Sequence, residues 1–359
     1  MTARCLLLCF VSPAIALCQE AGSGFDLHGT LSGIGAYSRD LTDAPRAGSP
    51  VTAGVRALLY PEWKIDENWS ASGAVQIHSR PYSYQEYATQ GFGALTHVIQ
   101  AQITYSRVRP EKSLVVRAGI LPAAFGSFPL RYDDAVNPLI DAPLSYGYYG
   151  SGVSLDGFAG AEVDLSKAKL DARAQFLNSS PVNRRSIFDR DQYGSWVAGA
   201  GFTPTQGFRV GASVFRGPYL DRHWPYYFPR EDRPRDLPAT GLGLDIQWGR
   251  GPWNAYGEWQ RFVLTYHAIP TYREDTGYGE LRRVLTPRWY IAGRAGYLRS
   301  NASAPVQALE TAVAYRPGAA QLIKFGYEIE HSTTATRPWD GIFAVQFVTT
   351  FRAISLARE

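Results

Sequence analysis

An all-β chain, closed into a transmembrane antiparallel β-barrel of about sixteen strands, is the architecture this sequence predicts, on three observations. Segment after segment alternates apolar and polar residues with period two, the spacing of a strand whose two faces meet different media. The connections between segments alternate short and long. Helix-period stripes and helix caps are nearly absent, and after the first twenty residues no apolar run approaches the eighteen or so that a membrane-spanning helix needs. If this chain crosses a membrane, strands must take it there.

The elements follow in order. The opening MTARCLLLCFVSPAIALCQE has one positive charge at Arg4, an apolar run over 5–11 and a small-residue site before Gln19. That is the layout of a secretory signal peptide over 1–18. Cys5, Cys9 and Cys18 are the only cysteines, so cleavage after Cys18 leaves residues 19–359 as one exported domain without a thiol. Lipidation of Cys18 competes at the same place, but Leu17 stands where Gly or Ala is normally wanted.

Alternating segments then run over 27–38, 50–60, 68–80, 95–108, 114–121, 151–165, 169–178, 193–203, 208–216, 239–249, 252–264, 277–285, 288–299, 306–316, 321–331 and 341–352. In the third, Trp69, Ala71, Val75 and Ile77 oppose Ser70, Ser72, Gln76 and His78. In the fourth, Leu95, Ile99, Ala101, Ile103 and Tyr105 oppose Thr96, Gln100, Gln102, Thr104 and Ser106. The seventh sets Phe176 against Gln175, and the fifteenth sets Phe325 against Lys324 and Glu328. Turn-like joins such as RPEKS, LSKAK, GRGP and TPR alternate with longer ones, notably 122–150 and 217–238. Short periplasmic turns and long extracellular loops have this rhythm. Tyr60, Trp63 and Trp69 cluster at one short turn, Trp248 and Trp253 flank another, and Trp289 and Tyr290 follow a third, as interfacial girdles do.

Charge and composition exclude several classes. The net charge is +4 over 359 residues with scattered basic groups, which argues against a nucleic-acid partner. The six histidines are far apart, without an H-x-x-x-H pair or a G-x-S-x-G elbow, so no catalytic group, metal site or cofactor is assigned. Asp133, Asp134 and Asp232 lack the ordered spacing of a calcium loop. A surface hydrolase using His223, His267 or His331, and an exported carbohydrate-binding β-protein, are the alternatives.

The stretch RAGILPAAFGSFPLRYDDAVNPLIDAPLSYGYYGSGVSLDG carries a more specific signal. Its Arg117, Gly119, Pro122, Phe125 and Gly126 resemble the segment of bacterial outer-membrane porins, the phosphate-selective family among them, in which an R-x-G strand runs into a P-x-x-x-F-G turn. The resemblance implies a sixteen-stranded, trimeric channel for small hydrophilic solutes in an outer membrane, contacting only lipid and solute. It implies too that 122–150 folds into the lumen as a constriction, placing Arg131, Asp133, Asp134 and Asp141 at the eyelet with Arg117 at its base.

On the inferred lumen wall lie Arg56, Arg173, Arg209, Arg282, Arg294 and Lys324 with Asp245, Glu258 and Glu328. This mixed balance departs from an anion-selective pore, which needs a basic ring at its narrowest part, and predicts weak selectivity with a slight cation preference. Arg117 is free to pair with a loop acid. Trp224, Tyr226, Tyr227 and Phe228, in another long loop, are candidates to stack on solutes; packing of that loop over the rim is the competing reading. One further departure is the C-terminus, which continues through RAISLARE where porin chains commonly end on an aromatic residue.

Overall fold

The computed structural model describes residues 23–357 apart from 40, 42–48, 81, 83–92, 147–154, 156, 179–193, 219–235, 266, 268–269 and 334–337. The segment 1–18 and the loop aromatics Trp224, Tyr226, Tyr227 and Phe228 therefore lie outside the described residues.

Sixteen strands form one closed antiparallel barrel: β1 (Gly24–Ser38), β2 (Val51–Lys64), β3 (Trp69–Arg80), β4 (Gly93–Arg109), β5 (Lys112–Pro122), β6 (Gly157–Lys167), β7 (Leu170–Leu177), β8 (Ser195–Thr205), β9 (Phe208–Pro218), β10 (Pro238–Arg250), β11 (Trp253–Leu264), β12 (Tyr272–Thr286), β13 (Trp289–Ser300), β14 (Val306–Tyr315), β15 (Gln321–Ser332) and β16 (Trp339–Ala357). Each strand pairs with its neighbours in sequence, and β16 closes on β1. Closure leaves no edge, so the ladder satisfies the backbone without water, as a hydrocarbon surrounding demands.

Period two decides the faces. Ile103, Phe176, Val210 and Phe325 stand exposed on the outside, whereas Gln175, Lys324 and Gln346 are buried inside. An apolar exterior around a polar interior suits lipid outside and water within. Two aromatic rows bound the apolar band. Trp63, the Trp69–Tyr105 pair and the Trp289–Tyr315 pair lie at the short-turn end; Tyr37, the Phe176–Trp196 pair, Tyr297 and Trp339 lie at the other. Trp289 and Tyr297 are eight residues apart on β13, about 27 Å at ~3.4 Å per residue. With a strand tilt of roughly 40°, that is about 20 Å of membrane height.

Several sequence expectations are corrected. Tyr60 and Tyr290 do not join the girdle: both point inward, where their hydroxyls bond the long loop. The alternation of β4 breaks at Ile99, a bulge opposite Ala74 and Val75, so Thr96 and Val98 face outward while Leu95 and His97 face in. One inserted residue flips every side chain beyond it. β6 is described from Gly157; of the expected segment's start, 151–154 and 156 lie outside the described residues. β12 begins five residues early, at Tyr272, because Arg273 and Asp275 outside and Glu274 inside hide its alternation. β16 continues to Ala357, since a bulge against Leu27 and His28 leaves Ala353 unpaired and returns Ile354 and Leu356 to the exposed face. Residues 352–357 of the tail RAISLARE are the end of the closing strand.

Candidate pore

The long connection leaves β5 through two glycines of the porin-like motif. Gly119 has φ +133°, and a Cβ there would lie 2.2 Å from the Ala101 carbonyl oxygen. Gly126 has φ +75°, and a Cβ would lie 1.9 Å from the Tyr146 hydroxyl. Any other residue would be strained and would push apart what these positions bring together.

From there the chain turns into the lumen. Ala123, Ala124, Phe125 and Phe128 pack with Leu177, Phe215, Phe262 and Tyr278 from the barrel wall. Gln175 on β7 holds this entry at both ends, accepting from the Ala124 N–H (2.8 Å) and donating to the Pro122 carbonyl (2.9 Å). Arg173 donates to the Gly126 carbonyl (2.8 Å), and Glu258 accepts from the N–H (3.0 Å) and hydroxyl (2.5 Å) of Ser127.

Arg131 then reaches β12, donating to Glu280 (2.5 Å) and the Tyr278 hydroxyl (2.9 Å), with Tyr256 3.8 Å beneath its guanidinium. The next residues contact the other side of the barrel. Tyr132 donates to Gln76 on β3, Asp133 accepts from Thr30 (2.9 Å) and Tyr60, and Asp134 from Arg56 (3.0 Å) and Tyr82 (2.8 Å). Adjacent residues that bond β12 and then β3 carry the chain across the lumen.

The loop then descends along β13–β16. Leu139 packs with Tyr290, Ala314, Leu322 and Val348, close to the short turns. Lys324, with 0% exposure, donates to the carbonyls of Asp134 (2.7 Å), Asn137 (2.8 Å) and Leu139 (2.8 Å). Glu310 accepts from the N–H groups of Ile140 (2.8 Å) and Asp141 (3.1 Å), and Arg294 donates to the Asp141 carbonyl (2.6 Å). Tyr146 returns to Glu258, completing a circuit that touches most of the wall.

The charges in this network are largely matched. Arg56 pairs with Asp134, Arg131 with Glu280, and Arg294 with Glu310 and Glu280. Burial alone would push the Asp134 carboxyl up; Arg56 and Lys324 outweigh it and hold the group below the usual carboxylate range. Burial, reinforced by the Glu258 carboxylate, raises the Tyr146 phenol and keeps it a donor. Arg117 does not pair with a loop acid; it holds Glu162 and Asp164 on the adjacent strand β6. Arg209 on β9 bridges Asp171 (2.7 Å) on β7, reaching past Gly201 of β8, and Asp245 (2.8 Å) on β10. Arg282 lies 5.8 Å over the Tyr290 ring, and Glu328 faces Glu310 across the β14–β15 ladder.

Exposure divides the lumen in two. On β11–β16 the inward side chains under the loop are buried, among them Glu258, Glu280, Arg294, Glu310 and Gln346. On the lower parts of β3–β10 they remain half-exposed: Ser72, Gln102, Thr104, Arg117, Asp164, Asp171, Arg173, Arg209 and Asp245. This wall is polar and reached by water. Among the described residues no group of three or more His, Cys, Asp and Glu is arranged to hold a metal ion.

Sequence reasoning did not assign Tyr60, Gln76, Tyr82, Tyr132, Gln175 and Tyr278 as the loop's partners. Gln175 and Gln76 were legible as inward residues by parity. What they bind was not, because the loop's path has no periodicity to read.

No family model matches the chain, and no curated protein matches it. Solved structures do. The outer membrane channel DcaP of Acinetobacter baumannii is 12% identical, with a TM-score of 0.63 over 93% of this chain and 99% of that one. OmpF of Salmonella typhi, in complex with daunomycin, is 12% identical with a TM-score of 0.60, over 92% and 98%. OmpT of Vibrio cholerae, an outer membrane protein in trimer form, is 10% identical with a TM-score of 0.57, over 92% and 100%. The fold is that of the outer-membrane porins.

Proposed function

We propose that this protein is an outer-membrane channel through which small hydrophilic solutes diffuse passively, with loop 122–150 as its constriction. The observation that carries the reading is the path of 123–146: it lies inside the barrel, bonded to strands on both sides, and leaves a polar, water-reached wall on β3–β10. A protein using the barrel only as an anchor has no need to fill half its lumen with a fastened loop. Short turns face the periplasm and long loops the outside, and the chain acts as a trimer, the state in which OmpT of Vibrio cholerae was solved. The loop aromatics Trp224, Tyr226, Tyr227 and Phe228 would meet solutes at the outer mouth.

Selectivity is weak in this reading, and the residues that set it shift. Asp133 and Asp134 are held by hydroxyls and Arg56, so the lean comes from the wall, where Glu162, Asp164, Asp171 and Asp245 face Arg117, Arg173 and Arg209. The half-exposed acids and arginines of this wall are equal in number, and the one acid in excess, Glu162, is buried behind them, so the cation preference is slight and is screened within about 10 Å at 0.1 M salt. A saturable phosphate site does not fit, since Arg56, Arg117, Arg131, Arg209 and Arg294 already hold carboxylates.

Proteoliposome swelling with neutral sugars of graded size tests the channel. Uptake should fall steeply with solute size. Liposomes that swell no faster than protein-free ones would refute it. Reversal potentials across a salt gradient test the lean: Asp171→Asn with Asp245→Asn should move them toward anions, and a strongly anion-selective wild type would contradict it.

A further inference from the structure

A feature that the pore does not use lies on the outer surface at the short-turn rim of β4–β8, where a groove of about 590 Å³ is cut. Its floor is apolar, formed by Leu114, Leu165, Leu170, Ala172 and Ala200. Arg107, Arg109, Lys112 and Lys167 crown it. Register explains how they meet. Arg109 stands opposite Lys112, and Lys112 opposite Lys167, so three cations occupy one row across three strands. The next row toward the membrane centre reads Arg107, Leu114, Leu165, Ala172 and Ala200. The row beyond starts at Tyr105, whose ring packs at a tilt against Trp69 in the short-turn girdle.

Like charges placed directly opposite each other destabilise a sheet. Among the described residues these four cations form no ion pair. Asp171, the acid lining the groove, is turned inward to Arg209, and Glu111 in the adjoining turn is exposed. A strand pair gains nothing from such a row unless an anion sits on it. The girdle puts the row at headgroup level, and the small side chains Ala172 and Ala200 beside Leu165 deepen the apolar floor on its membrane side. Anionic group above, hydrocarbon below: that is the shape of a lipid.

We infer that this groove binds a diacyl phospholipid with an anionic headgroup, in the leaflet that meets the short turns. Arg107, Arg109, Lys112 and Lys167 take the phosphate, and the acyl chains lie over Leu114, Leu165 and Ala172. The inference rests on the membrane reading and not on conduction. Basic residues near an anionic lipid surface each strengthen binding by about fivefold, so the combined Arg109→Ala, Lys112→Ala and Lys167→Ala variant should bind about a hundredfold more weakly.

Native mass spectrometry of the folded protein, titrated with phosphatidylglycerol or phosphatidylcholine of identical chains, reads this directly. Wild type should retain phosphatidylglycerol well above phosphatidylcholine. The triple variant should lose that preference, the single Lys112→Gln variant should lose about fivefold, and Arg250→Ala with Arg283→Ala elsewhere on the rim should keep it. Equal retention of both lipids by wild type, or equal loss in the Arg250/Arg283 control, would overturn the inference. So would free inorganic phosphate displacing the lipid completely, because the acyl floor would then contribute nothing. Folding is checked by heat-modifiable migration. Failure of sugar uptake would refute the channel and leave the lipid result standing.

Discussion

Lys324→Met removes the ammonium that ties the loop to β15 while keeping an unbranched side chain of similar length. In the native protein that group is fully buried and donates to three loop carbonyls at 2.7–2.8 Å. Each hydrogen bond from a charged group contributes about 1.5–3 kcal/mol, but the substitution also leaves three buried carbonyls unpaired and removes one of the two cations beside Asp134, leaving Arg56 and the Tyr82 hydroxyl. Removing one member of such a buried set costs about 3–5 kcal/mol. At ~1.4 kcal/mol per tenfold, the detached loop becomes roughly a hundred to a few thousand times more populated. The backbone ladder is untouched, so the barrel should keep its heat-modifiable migration. Single-channel recordings should show transitions to a larger conductance that wild type rarely makes, and limited proteolysis should cut the loop faster. Traces identical to wild type, with an equally resistant loop, would refute the reasoning that this lysine fastens the constriction.

Other predictions follow from facing and titration. Ile103→Arg places a charge on the lipid face and should destabilise the barrel by about 2–4 kcal/mol in urea unfolding from liposomes, whereas Gln102→Arg, inside, should fold nearly as well as wild type. Because Asp134 titrates below its ordinary value, its contribution to fastening the loop is complete above about pH 4 and is lost as pH falls through the lower native value. Conductance should therefore be steady between pH 5 and 7 and become noisier or larger as pH falls below about 4; Asp134→Asn should show that noise already at pH 7.

Much of the fold was legible because a membrane barrel writes its topology in period two. Where that period holds, as in β7 or β15, both boundaries and facing follow from the residues alone. It failed at Ile99 and Ala353, where a bulge adds one residue that no pattern announces, and at the start of β12, where polar residues face both ways. The loop was legible at its origin through Gly119 and Gly126, whose conformations only glycine adopts easily. Its destination was not. The pairing of Asp134 with Arg56, 78 residues away, depends on barrel closure, and closure brings together side chains whose sequence separations follow no rule. Arg117 taught the converse. Its partners were two strand neighbours, set by register rather than by the loop.

Single-channel conductance of wild type beside a variant lacking residues 133–138 tests the central claim most directly. These residues carry the crossing to β1 and β2 and most of the carbonyls that Lys324 holds. A water-filled channel narrowed by this loop predicts discrete steps from wild type, and clearly larger steps from the variant with the barrel still assembled. Steps of equal size would place the constriction elsewhere, and a folded wild type that gives no steps would contradict the channel itself.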